Sequence, residues 1–130
     1  MNPNLPEMNL IIRPENRIQE IQMEFNTLYP YLKVEFYRPI LTPGKFPNRG
    51  QRIEGYEPVR KYSKIEKPCY LALNSTRTIY EVESDFQNVF ALAAEIYRKS
   101  GNNWIETSLT DQWTLEHQNR EGELLSGNHS

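Results

Sequence analysis

LAAEIYRKSGNNWIETSL, residues 92–109, decides the fold class. Leu92, Ala94 and Ile96 alternate with Ala93, Glu95 and Tyr97, the period of a half-buried strand. Gly101-Asn102 suits the two central residues of a type I′ or II′ turn. With those two at the tip, Lys99 faces Trp104, Arg98 faces Ile105 and Tyr97 faces Glu106. Leu92, Ala94, Ile96, Ile105, Thr107 and Leu109 then share a core face. Glu95, Tyr97, Lys99, Trp104 and Glu106 share the other.

Upstream of this hairpin, Thr78 and Glu81 have capping-box spacing. Ile79, Val82, Phe86 and Val89 form one stripe of the helix they open, which ends near Phe90. Cys69, Leu71 and Leu73 alternate as a short strand. Leu32, Val34 and Phe36 alternate with Lys33, Glu35 and Tyr37 in another, which Pro39 closes. Ile18, Ile21, Phe25 and Leu28 make an apolar helical stripe that Pro14 opens and Pro30 ends. Downstream, Thr110 or Asp111 caps a short final helix, Gln112 to about Arg120, that Gly122 is placed to stop.

Residues 39–68 hold five prolines and three glycines, which reads as a long loop. Residues 1–12 and 123–130 read as loose termini. No segment is read as an internal repeat of another. The expectation is a single α+β domain over residues 1–130. It has a mostly antiparallel sheet of about four strands, two main helices on one face, and a short C-terminal helix.

The chain of 130 residues has a one-domain length. Its formal net charge is −2, so the whole molecule does not advertise a polyanionic partner. The stretch from Arg38 to Lys67 does, with eight basic and three acidic residues. Phe46, Tyr56 and Tyr62 are interleaved with its Arg and Lys side chains. Rings beside cations are how single-stranded nucleic acid is often held. Arg49, Arg52, Tyr56 and Arg60 are the candidate contacts there.

Cys69 is the sole cysteine, so no internal disulfide forms. On the inward face of a strand it reads as a small hydrophobe rather than a nucleophile. Two histidines offer no metal-ligand cluster, and no phosphate-binding glycine loop is present. No cofactor and no metal are expected. Leu10 to Ile12 is too short for a signal peptide, and no run reaches membrane-spanning length, so a cytoplasmic location is expected.

Asp111 and His117 are weak catalytic candidates, His117 as base and Asp111 as its orienting partner. Nearly two helical turns separate them, and a cap followed by solvated residues explains them as well. Tyr97, Lys99, Trp104 and Trp113 are the candidate binding residues of the hairpin. Either the final helix buries the outer face, or its aromatics form a patch for another protein, since Trp and Tyr favour interface centres.

Residues 98–119, RKSGNNWIETSLTDQWTLEHQN, resemble a segment of small uncharacterised bacterial α+β proteins. The resemblance rests on Gly101, Trp104, Thr107, Thr110-Asp111, Trp113-Thr114-Leu115 and Gln118-Asn119, with a weaker match over the helix at 78–90. It implies a recurrent fold and no particular activity. The aromatic hairpin face and the absence of a convincing catalytic set put a binding or adaptor domain for a protein partner first. Polyanion binding through residues 38–67 ranks second, and a small acid–base enzyme third. Homo-oligomer formation stays open.

Overall fold

The computed structural model describes residues 8–40 and 48–126, with the side chains of 39, 40, 48 and 49 excepted. Its elements run β1 (Asn9–Ile12), α1 (Ile18–Leu28), β2 (Leu32–Ile40), β3 (Asn48–Arg52), β4 (Cys69–Ala72), α2 (Ile79–Phe90), β5 (Ala93–Ser100), β6 (Asn103–Glu106) and α3 (Leu115–Ser126). Short 3₁₀ turns lie at Val59–Lys61 and Ser108–Thr110. Strands β3-β2-β5-β6 form one antiparallel sheet, and β1-β4 form a separate antiparallel ribbon. The fold is α+β.

The hairpin register is the one its sequence implies. Tyr97 pairs with Glu106, Arg98 with Ile105, Lys99 with Trp104 and Ser100 with Asn103. Gly101 has φ +62, while Asn102 is not among the positive-φ residues, which selects the type II′ turn. Leu92 and Ile96 are fully buried as expected. Ile105 is 37% and Leu109 99% exposed, against expectation. Strand β6 ends at Glu106, and the chain then turns into 3₁₀ structure, so Leu109 leaves the sheet before the alternation reaches it.

Four boundaries also differ. Asn9–Ile12 is a strand rather than a loose lead-in, because Leu10 and Ile12 are completely buried in the ribbon. The 39–68 segment contains β3 and a 3₁₀ turn, and it buries Ile53 and Val59. Pro14 precedes α1 in a turn, and Arg17 is the N-cap. Helix α3 runs through Gly122 to Ser126, so 123–126 is helical and α3, at 12 residues, equals α2 in length. Thr114 caps it, its hydroxyl accepting the His117 N–H at 3.1 Å. A Cβ at Gly122 would stand 2.8 Å from Tyr31 Cβ, so glycine serves a close approach of α3 to the α1–β2 turn. Residues 1–7 and 127–130, expected to be loose, and Lys45 and Phe46 of the basic stretch lie outside the described residues.

The largest departure is that the chain is an internal duplication. Leu10, Ile12, Ile18, Glu20, Ile21, Phe25 and Tyr29 recur in step as Leu71, Leu73, Ile79, Glu81, Val82, Phe86 and Phe90. After Pro30-Tyr31 is matched by Ala91 alone, Leu32, Glu35, Phe36, Tyr37 and Arg38 recur as Leu92, Glu95, Ile96, Tyr97 and Arg98. Each half is thus a strand, helix, strand, strand unit that returns to its own helix start.

Hydrogen bonds repeat with the residues. Glu20 accepts the Arg17 N–H, as Glu81 accepts that of Thr78. Ile18 N–H donates to Glu57 O and Val59 N–H to Asn16 O. Ile79 N–H donates to Trp113 O and Leu115 N–H to Arg77 O in the same way. The returning chain therefore satisfies the unpaired amides at both helix starts.

Strand pairing places a two-fold axis between the halves. In an antiparallel pair, a residue opposite its own counterpart marks such an axis. Leu10 faces Leu71 in the ribbon, and Glu35 faces Glu95 in the sheet. Around the second point the pairs are reciprocal: Val34 faces Ile96 and Phe36 faces Ala94. The core lies between these elements, with Phe36 meeting Phe86 edge to face at 5.0 Å.

Candidate binding surface on the outer sheet face

Alternation along β2 and β5 sends Leu32, Val34, Phe36 and Ile96 inward against the helices. It sends Lys33, Glu35 and Tyr37 outward with Glu95, Tyr97 and Lys99. Strand β6 adds Trp104 and Glu106 to that face, and β3 adds Arg52, opposite Tyr37.

Tyr37 and Tyr97 are counterparts, and their hydroxyls hydrogen-bond to each other at 2.7 Å. Lys33 Nζ lies 5.4 Å from the Tyr97 ring centre and 5.2 Å from that of Trp104. The register makes Lys99, the direct neighbour of Trp104, the expected cation over its ring. Lys33 takes the place instead, because it faces Tyr97 and reaches diagonally across β5. Each such contact is worth about 0.5–1 kcal/mol when exposed. Glu35 is held by Lys33 at 3.7 Å, Arg52 at 3.4 Å and the Gln22 amide at 3.3 Å.

The final helix does not cover this face. Its contacts on β5 fall at Arg98, which has the opposite parity. Arg98 donates to Gln118 Oε1 at 3.0 Å and lies over the Trp113 ring at 5.7 Å. Trp113 therefore belongs to the α3 side and is not brought beside Trp104.

Asp111 and His117 are not joined. The His117 ring stacks on Trp113 at 4.1 Å, and its Nε2 stands 3.8 Å from Glu121. The Asp111 backbone carbonyl accepts the Tyr80 N–H, and its carboxylate bears on Glu83. The duplication accounts for the His117 position. Glu57, Lys61 and Tyr62 stand in the first half where Trp113, His117 and Gln118 stand in the second. Lys61 pairs with Glu57 at 2.6 Å, and Arg38 donates to the Tyr62 hydroxyl at 3.1 Å, as Arg98 does to Gln118. One half anchors its arginine with an ionic cluster and the other with an aromatic one. Hydrogen bonds from Lys61 and then Tyr62 hold the Glu57 carboxyl down at about 2.

The same pairing occupies part of the basic segment. Arg52 serves Glu35 and Glu54, while Arg38 and Lys61 serve Glu57. Arg60 and Tyr56 are exposed, the latter at 67%, and the Arg49 side chain lies outside the described residues. Cys69 is half-buried, its Sγ 3.4 Å from Lys67 O. Among the described residues no group of three His, Cys, Asp or Glu side chains is arranged to hold a metal, and no helix is long and apolar enough to cross a membrane.

Sequence reasoning missed Lys33, Tyr37 and Glu35. Their own alternation placed them outward, but only the β2–β5 pairing brings them beside the hairpin. No family model, curated protein or solved structure matches this chain.

Proposed function

We propose that the protein is a binding module that receives a protein partner on the outer face of its four-stranded sheet. One observation carries this reading: half-exposed Tyr97 and Trp104 form a connected cluster with Lys33, braced by the buried Tyr37, on a face that no described helix covers. Rigid amphipathic rings offer contact area at low entropic cost, and Trp and Tyr dominate interface hot spots. The mixed charges around them suit a partner of mixed charge. Local pairing of Arg38, Arg52 and Lys61 favours this face over the basic segment as the working surface.

The test is site-specific photocrosslinking in the native host. A photoreactive residue at Lys99 or Glu106 reports the outer face. The same residue at Met23, 69% exposed on α1, is the control. The expected result is one discrete adduct from the first two positions, absent from the third and lost in Trp104→Ala. Identical adducts from all three positions would overturn the reading.

A further inference from the structure

Neither half of the duplication closes its own core. The ribbon takes β1 from the first half and β4 from the second. The central pairing of the sheet, from Leu32 opposite Arg98 to Tyr37 opposite Ala93, also crosses between the halves. Phe36 of the first half packs on Phe86 of the second at 5.0 Å, and both are completely buried. The Tyr29 hydroxyl at the end of α1 donates to the carbonyl of Leu73, just beyond β4.

The surface that crosses is self-complementary. Leu10 meets its own counterpart Leu71, and Glu35 meets Glu95. What the first half shows the second is therefore what the second shows the first, as in an isologous dimer. A half fits its complement whichever chain carries it. The chain passes from one half to the other once, between the 3₁₀ turn at Val59–Lys61 and β4. Residues 63–68 carry no helix or strand, and Lys64, Glu66, Lys67 and Pro68 are exposed. Among the described residues, no backbone-to-backbone hydrogen bond involves residues 64–67. Ile65 is the one apolar side chain of that stretch, and it is only half-buried against the core.

We propose that a second copy of this chain is a partner for each half, and that the protein forms a dimer by exchanging halves about residues 64–68. In that dimer β1 and β2 of one chain pair with β4 and β5 of the other. Every contact between halves is kept, and residues 64–68 are what changes path. Two units result, each built from both chains. Lys33 and Tyr37 of one chain then stand beside Tyr97 and Trp104 of the other, so each outer sheet face becomes composite. Exchange is independent of what that face binds. Since the contacts are the same in both forms, the balance is set by the effective concentration of two tethered halves. For a short tether that is on the order of millimolar. Exchange also requires the β1–β4 and β2–β5 pairings to open together. The dimer therefore forms when concentrated protein refolds, and it persists once formed.

The experiment co-refolds two full-length variants, Glu35→Cys and Glu95→Cys, each also carrying Cys69→Ala. They are unfolded in urea, mixed in equal amounts, refolded at roughly 1 mM and oxidised. Positions 35 and 95 face each other. Directly opposed Cα atoms of an antiparallel pair lie about 4.5–5.5 Å apart, within reach of a disulfide. The expected product is a disulfide-linked heterodimer with neither homodimer, because exchange sets two copies of the same cysteine in separate units. Heterodimer and homodimers in the proportions of random collision would overturn the proposal, and so would monomers alone. Wild type refolded over a rising concentration series is the second measurement, and it needs no variant to fold. Light scattering should show a dimer fraction that grows with the refolding concentration and persists on dilution. Wild type that stays monomeric throughout, up to roughly 1 mM, would also overturn it.

Discussion

Glu35 and Glu95 face each other directly across β2 and β5, at the point where the internal two-fold axis crosses the sheet. Like charges placed directly opposite are unfavourable in a sheet. The first is compensated by Lys33, Arg52 and the Gln22 amide. Equivalent residues in the two halves share a backbone position, which makes the duplication a set of internal controls.

The two equivalent arginines differ in burial and should differ in worth. Arg98 donates to Gln118, which is wholly buried. Arg98→Ala should cost about 1–3 kcal/mol, the penalty of an unpaired buried acceptor. Arg38 has a half-exposed side chain and an exposed bond to Tyr62. Arg38→Ala should cost less than about 1 kcal/mol. Urea denaturation of both variants measures the difference, and equal costs would contradict it.

Gly122→Ala sets helix propensity against sterics. Alanine in a helix interior gains about 1 kcal/mol over glycine. The added methyl would lie 2.8 Å from Tyr31 Cβ and 3.1 Å from Tyr31 O. Overpacking at such contacts costs about 1–3 kcal/mol, and a backbone oxygen cannot swing aside. The net change should be destabilising, seen as a lower urea midpoint. A raised midpoint would show that α3 does not pack this closely.

Stability should pass through a maximum with pH. Glu57 is held at about 2, below its ordinary 4.5, and Glu81 is also lowered, chiefly by the Thr78 backbone N–H. A lowered carboxyl stabilises the fold above its unfolded value, and that contribution is lost as the pH falls from about 4.5 towards 2. Glu83 has the opposite sign. Its raised carboxyl favours the fold most fully below 4.5, and the benefit is lost as the pH rises to about 8. Lys61→Ala should flatten the acid limb alone. Denaturation midpoints across the pH range check both limbs, and an acid limb unchanged in Lys61→Ala would contradict the assignment.

Local pattern made the hairpin legible. Period-two alternation and the Gly101-Asn102 turn give the register without reference to other elements, and Thr78 with Glu81 announces the start of α2. The exposure of Ile105 and Leu109 is not legible there, because alternation says nothing about where a partner strand stops. Strand β1 was overlooked because four residues beside a proline-rich start carry little periodic signal. Its burial comes from β4, which lies far along the chain. The repeat was present in the sequence all along, in Ile18, Glu20, Ile21 and Phe25 against Ile79, Glu81, Val82 and Phe86. The deletion at Ala91 and the exchange of charged for aromatic anchors obscured it.

The candidate surface divides in the same way. Which side chains leave each strand on the outer face follows from the sequence alone, since alternation is a property of the extended backbone. That Tyr37 meets Tyr97, that Lys33 lies over Trp104, and that Trp113 and α3 sit on the other side were decided only by tertiary pairing. Those contacts join residues remote in the chain, and they come into being when the two-fold axis sets β2 against β5.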